Sequence, residues 1–386
     1  MEESKNIKHF AGLSLLRFIA ASLVIFHHVA QYKQWAGMES SWGDNGVNQL
    51  GHLPVAFFFV LSGFLITYLL MKENYRFDTI NLRTFYMRRI LRIWPLYFII
   101  VLVALFILPA IITNTFGDNQ PGTSSIFSLF LFMPNILRIT FPNLVGANQL
   151  WSVGIEEQFY LFWPVLILIF RKKVIQFLVI FILLKLAIHI GLMYTTSLHL
   201  FFFDQQRWAQ IEMLYRLFPV EQMAVGGLGA AFLFYDKSRM LTFIYHKLTL
   251  LFALVGLAVI VMLDLHGIYV TYVEAAIFAV LIMQLTHSTF AKKSLENRLF
   301  SRLGDMSFGI YMWHTTVVAL LIYGLPSAFY QITGNWGLHI LSFILSVITA
   351  HFSYRYIESP ILKLKKYFLP GAVQKQEVKQ VGYVQG

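Results

Sequence analysis

Cysteine is absent from this chain, and charged side chains are scarce: only 13% of its 386 residues are Asp, Glu, Lys or Arg. Without cysteine there is no disulfide framework, no thiolate metal site, no acyl-cysteine intermediate and no thiol redox chemistry. With so few charges a water-facing surface cannot be covered, which excludes a soluble globular protein. The sequence also lacks HExxH, GxSxG, Walker-type and Rossmann glycine patterns. Their absence argues against zinc hydrolysis, a nucleophile-elbow esterase and nucleotide-driven transport. Acidic residues are the scarcer sign, 19 against 30 basic ones, giving a net charge of +11. A nucleic-acid binder would gather that excess on a soluble module, and none is visible, so nucleic acid is not an expected partner.

What the chain has in abundance is apolar sequence, 58% of its residues. A hydrocarbon core of about 30 Å needs about 20 helical residues to cross it. Ten runs meet that length, near residues 11–31, 52–71, 94–113, 150–170, 174–194, 215–235, 247–265, 269–288, 308–326 and 337–357. An eleventh stretch, 126–137, is too short and ends at Pro134 and Asn135. It reads as a re-entrant or interfacial piece, tolerable at membrane depth only where other helices cover its backbone. The expected fold is therefore an all-α polytopic membrane bundle of about ten transmembrane helices plus one short segment.

Ten crossings put both termini on one side, and the basic residues test that count because Lys and Arg collect on the cytoplasmic side. Of the 30, 23 fall on the side of the termini, among them Lys5, Lys8, Arg88, Arg171 to Lys173, Lys292, Lys293 and five lysines from Lys363 onward. Only Lys33, Arg138 and Arg207 fall opposite, and Arg17, Lys185, Arg216 and Arg355 lie within apolar segments. Both termini are thus expected in the cytoplasm of a cell (plasma) membrane protein. Counting the short segment as a crossing would move Arg171, Lys172 and Lys173 outside. No cleaved signal peptide is expected, since Arg17, His27 and His28 interrupt the first run and no small-x-small site follows. No internal repeat is visible. Residues 1–370 form one integral-membrane unit, and 371–386 read as a polar, disordered tail.

Ionisable residues inside spans are costly and usually face the bundle interior. Arg17 and His28 are eleven residues apart, three turns plus about 20°, so they share a face and lie roughly 16 Å apart along the axis. His27 projects about 80° from the direction of Arg17. The plainer alternative has His28 at the outer boundary, bonded to water, while Arg17 snorkels inward. In LWSVGIEEQFYLFWP, Ser152, Glu156 and Tyr160 form one stripe, and Glu157 points elsewhere. Glu156 could orient an imidazole or bind a hydroxyl, or pair structurally with Arg216 or Lys185. Ser307, Tyr311 and His314 share a face of the ninth span, as do His351, Tyr354, Arg355 and Glu358 at the end of the tenth. These two sets fit helix-locking contacts best, including an Arg355–Glu358 ion pair. Ser62 and Gly63 suit close helix packing rather than nucleophilic chemistry. Arg88, Arg89 and Arg92 line one side of a short helix that Pro95 should stop. The positive-inside bias explains them, as does a phosphate ligand held by guanidinium forks.

Taken in order, these stretches resemble the membrane acyltransferase family 3, multi-span O-acyltransferases of bacterial surface polysaccharides and related acceptors. The likeness runs from the first span to Pro360. It is carried by Arg17 and His28 (Arg-x10-His), Phe58 to Leu65 (FFVLSGFL), and Arg89 and Arg92 (Arg-x-x-Arg). It continues through Trp151, Ser152, Glu156, Phe159 and Tyr160, with Val153 for the usual Leu. Ser307 to His314 follow, with Phe308 for Tyr, then Tyr354, Arg355, Glu358 and Pro360. Many members carry an added extracytoplasmic SGNH-hydrolase domain. This chain looks like the stand-alone form, in which a second transfer step would need a partner protein.

The resemblance implies an acyl-CoA co-substrate, in the first instance acetyl-CoA, taken from the cytoplasm, with no metal and no permanently bound cofactor. The acceptor would be a carbohydrate or lipid-linked glycan. Arg88, Arg89 and Arg92, with Ser62, would then hold the donor. His28 would act as general base, Glu156 would fix its tautomer or bind the acceptor, and Arg17 would stabilise the donor or developing charge. An acyl-enzyme through His28 or Ser152 is possible without being required. Ser152, Tyr160, Tyr311, His314, Arg355 and Glu358 would support the acceptor or the scaffold. Outer-segment residues Trp35, Trp42, Trp208, Asp44, Asp118 and Asp204 could contact a sugar, although loop tryptophans also anchor at interfaces. A transporter or flippase using an Arg/His/Glu relay is the rival reading. Broken helices in paired halves would favour it, and only one broken segment is found.

Overall fold

The computed structural model describes residues 10, 12–39, 44–112, 123–140, 144–198, 205–287, 295 and 297–368. Trp42, Asp118, Asp204, Lys5, Lys8, Lys292, Lys293 and the tail 371–386 lie outside the described residues, and of Asp44 and Arg138 only the backbone is described.

Among the described residues there are helices and no strands. They are α1 (Leu13–Trp35), α2 (Asp44–Phe77), α3 (Leu82–Ile111), α4 (Thr123–Phe130), α5 (Pro134–Thr140), α6 (Leu150–Ile169) and α7 (Val174–Leu198). There follow α8 (Gln205–Arg216), α9 (Val220–Phe234), α10 (Ser238–Tyr245), α11 (Lys247–Met262), α12 (Ile268–His287), α13 (Arg298–Gly324), α14 (Ser327–Ser353) and α15 (Ser359–Lys363). Nine helices are long and apolar enough to cross a membrane, or ten when α10 and α11, bent by 60° at His246, count as one broken span. The chain is a multi-span membrane protein. Its outer helices turn apolar side chains outward, Leu183 of α7 and Phe252 of α11 being 58% and 71% exposed. Such a surface is stable only against lipid.

Local sequence sets the helix ends. The Asn81 side chain accepts from the amide of Thr84 at 2.9 Å and opens α3, and Asn297 does the same for α13 through Phe300 at 2.8 Å. Pro95 does not stop a helix, contrary to the expectation above: α3 begins at Leu82 and continues through it. In a bundle, neighbours absorb the lost hydrogen bond that would end an isolated helix. Three arginines that would have sat on a separate short helix therefore lie on the first turns of a span.

Small residues bring helices into backbone contact. A Cβ on Gly63 of α2 would run into the carbonyl of Met223 in α9, and one on Gly226 into the carbonyl of Val60. The two backbones cross at touching distance, which only glycine permits. Gly63 is thus a packing residue, and Ser62 beside it points elsewhere.

The short stretch 126–137 is a bent pair, α4 and α5, with Phe132 at φ 56° between them. Neighbours cover its backbone, as a non-crossing segment requires. Tyr97 donates to the Leu129 carbonyl at 2.8 Å and Gln158 to that of Phe132 at 2.8 Å. Across the bundle, Arg171 after α6 donates to the Asp78 carbonyl between α2 and α3 at 2.5 Å. That contact puts the α6–α7 turn at the same end as the α2–α3 turn, as the ten-span count demands.

Candidate active site

Between α1, α2, α3, α6 and α13 lies a cavity of about 730 Å³. Its wall on α2 runs from Val55 to Phe77, 22 residue steps or about 33 Å at the helical rise. At one end it is basic: Lys72, Arg76, Arg88 and Lys365 line it there, with Arg89, Arg92 and Arg17 deeper. All three clustered arginines face it because α3 continues unbroken through them. Leu65, Leu69, Phe85 and Ile93 make the middle apolar, and the far end carries Ser62, Ser152, Glu156, Tyr160, Ser307 and Tyr311.

The Ser152/Glu156/Tyr160 stripe of α6 forms the polar heart of that end. Tyr160 donates to Glu156 at 2.9 Å and therefore accepts from Ser62, 2.5 Å away. Arg89 stacks over the Tyr160 ring, 5.5 Å from its centroid. The Ser152 hydroxyl donates to the Gln149 carbonyl at 3.0 Å, so Tyr311 donates to Ser152 across 2.6 Å. Gln149 staples α6 to α13: it donates to the Met312 carbonyl at 2.5 Å and accepts from Thr315. Among the described residues, Nε of Arg17 and Nε of Arg89 are buried without a hydrogen-bond partner, although Arg17 donates from Nη2 to Ser14 at 3.3 Å. Two guanidiniums with unused donors in a cavity wall suit an anionic ligand.

His28 is not on that wall. It is 6% exposed and lies one helical turn beyond the polar end, against His314, which follows Tyr311 by three residues. His314 donates from Nδ1 to the Tyr311 carbonyl at 2.6 Å, leaving its Nε2 to accept from Nδ1 of His28 at 3.2 Å. The same His28 Nδ1–H also faces the Val24 carbonyl at 3.0 Å. A neutral His28 therefore carries its lone pair on Nε2. The partner setting this tautomer is His314 with the Val24 carbonyl rather than Glu156, which Tyr160 holds. The Tyr311–Ser152 pair and the Phe58 ring, 5.7 Å from Tyr311, separate the imidazoles from the cavity.

Other pairings differ from the sequence reading. Lys185 binds Glu221 at 3.3 Å and Arg216 binds Glu212 at 3.7 Å, so neither takes Glu156. Glu157 accepts from Trp94 of α3 at 2.8 Å, away from the cavity. Arg355 is exposed and lies over Tyr356, while the buried Glu358 accepts from Ser353 at 3.2 Å. The expected Arg355–Glu358 pair fails because residues Tyr354–Glu358 form a π-helical turn, which shifts the phase of the helix. Of the outer-segment candidates, Trp35 packs on Tyr32, with ring centroids 4.9 Å apart.

Comparison with known proteins fits this geometry. A family model described as an acyltransferase domain matches residues 10–355. The chain belongs to the membrane acyltransferase family 3. Peptidoglycan O-acetyltransferase OatA of Listeria monocytogenes is 26% identical over 377 residues, 92% of this chain and 56% of that protein. O-acetyltransferase OatA of Staphylococcus aureus strain NCTC 8325 is 27% identical over 385 residues, 94% of this chain and 59% of that protein. The chain thus spans somewhat more than half the length of these relatives. No solved structure matches it.

Proposed function

We propose that this acyltransferase-family chain is a membrane O-acyltransferase. It moves an acetyl or similar acyl group from acyl-CoA, entering at the basic mouth, to a hydroxyl of a cell-surface carbohydrate. One observation carries the reading: a single cavity leads from clustered arginines past an apolar wall to a hydroxyl and carboxylate set. That layout suits a ligand with phosphates at one end and a small reactive group at the other. Membership of an acyltransferase family weighs against the transporter reading. A peptidoglycan O-acetyltransferase among the relatives favours a glycan acceptor.

In this reading both termini are cytoplasmic and the mouth opens to the cytosol. Arg88, Arg89 and Arg92 hold the CoA phosphates, Ser62 fixes the polar end of the pantetheine arm, and Arg17 offsets negative charge on the donor. Nε2 of His28 takes the proton of the acceptor hydroxyl as its oxygen bonds to the acyl carbon. The carbon–sulfur bond then breaks, and the imidazolium returns the proton to the departing thiolate. His314 positions His28. Glu156, steadied by Tyr160, receives the acceptor. Access to His28 requires the Tyr311–Ser152 hydrogen bond and the Phe58 ring to part when the donor fills the tip. Arg355 and Glu358 serve the scaffold.

The test is purified protein in lipid given radiolabelled acetyl-CoA and cell-wall glycan. Label should appear in a base-labile carbohydrate ester. Solute flux across proteoliposomes without label transfer would return the chain to the transporter class.

A further inference from the structure

A second cavity, of about 370 Å³, lies at the opposite end of α2, bounded also by α6, α7, α8, α9 and α12. It shares Val55 and Phe59 with the basic cavity, so one layer of side chains divides the two. Its chemistry is different. Glu221 and Glu274 line it, 7% and 1% exposed, with His52, Trp151, Tyr215 and Tyr272. Nδ1 of His52 stands 3.5 Å from Oε1 of Glu274. Among the described residues, Oε2 of Glu274 and the hydroxyl of Tyr272 are buried without a hydrogen-bond partner.

A carboxylate oxygen and a phenol left unmatched at membrane depth are costly unless something bonds to them. The charge balance narrows what that is. Lys185 sits on Glu221 at 3.3 Å and the His52 ring faces Glu274 at 3.5 Å, so each carboxylate already has a nitrogen partner and a cationic ligand gains little. Acceptor oxygens beside aromatic rings, in a volume proper to a small-molecule site, match a neutral polyhydroxylated ligand.

We propose that this cavity is the acceptor subsite, which holds the body of a carbohydrate through Glu274 and Tyr272 with Trp151 and Tyr215 as its walls, while the reacting hydroxyl reaches past the Val55/Phe59 layer toward Glu156 and the donor. The inference rests on the acyl-transfer reading above and adds where the acceptor binds.

The test combines two readouts: acetate released by mild base from cells that depend on this chain, and acetyl-CoA affinity of the purified protein. Glu274→Gln should lower surface acetate at least tenfold and Tyr272→Phe about threefold, with acetyl-CoA affinity within twofold of the parent protein. Surface acetate unchanged in Glu274→Gln, or acetate and acetyl-CoA affinity falling together, would overturn the subsite. Because the chain has no cysteine, Val270→Cys introduces a unique thiol into this cavity's lining. The acetate that this variant deposits before labelling is the baseline. A membrane-impermeant methanethiosulfonate applied to intact cells should then abolish deposition, and labelling without loss, or no labelling, contradicts the proposal. A parent protein that binds no acetyl-CoA and deposits no acetate defeats the acyl-transfer reading itself, and this inference with it.

Discussion

The open basic cavity and the sealed imidazole pair one turn beyond it make an instructive contrast, because the same family motifs supply both. Arg17 and His28 lie on one face of α1, yet Arg17 lines the cavity and His28 does not. Tyr311 and His314 divide in the same way on α13. The boundary between them is thin: a tyrosine–serine hydrogen bond and a phenylalanine ring. In the proposed mechanism that layer holds the donor-binding groups and the base apart until a ligand disturbs it. In that mechanism the separation is useful, since a water-accessible base beside a thioester would hydrolyse it.

If the contrast is correct, substitutions on its two sides should damage different kinetic constants. The largest effect belongs to His28→Ala. Loss of a general base costs about 10²–10⁴-fold in rate, so acyl transfer should fall at least a hundredfold while acetyl-CoA affinity stays within twofold. Equal loss of affinity would mean that His28 is part of the donor site and that the sealed layer has no functional meaning. The next effect belongs to the other side. Arg89→Ala should weaken acetyl-CoA binding by about 10- to 100-fold, the range expected when one charge-assisted contact worth about 1.5–3 kcal/mol is lost. The turnover of the saturated enzyme should change little, as for uniform binding. A calorimetric titration beside a saturation curve separates the two outcomes.

Much of this contrast was readable from sequence, and what was not has a physical cause. Span positions followed from hydropathy, since lipid imposes a fixed length on every crossing. The Ser152, Glu156 and Tyr160 stripe followed from helical period, and the structure keeps it on one wall. Period failed where the helix is irregular. The π-helical turn at Tyr354–Glu358 adds a residue to one turn and so separates Arg355 from Glu358. Pro95 misled because the usual cost of a mid-helix proline assumes water or an isolated helix. The His28–His314 pairing joins residues 286 positions apart, and no local pattern reports it. The second cavity was invisible for the same reason: six helices each give it one or a few side chains, none in a recognisable motif. Glu221 and Glu274 were therefore passed over, although an acidic residue inside an apolar run is itself a signal.

The smallest expected effect is the most discriminating for His28, because His27 is its immediate neighbour with the same chemistry. The two rings touch, their centroids 5.1 Å apart, so a nonspecific requirement for imidazole in this region would be met by either. Their surroundings differ. The His27 ring leans on Gly51 of α2, where even a methyl group would lie 2.6 Å from Nε2, so it serves as packing between α1 and the start of α2. His28 is the one joined to His314. His27→Ala should therefore leave acyl transfer within about twofold and cost about 1–3 kcal/mol of stability, as truncation of a partly buried ring does. That cost should appear as a lower melting temperature in detergent. Were His27→Ala to abolish transfer in a protein of normal abundance and thermal stability, the base would have to be reassigned to the histidine whose side chain points toward α2.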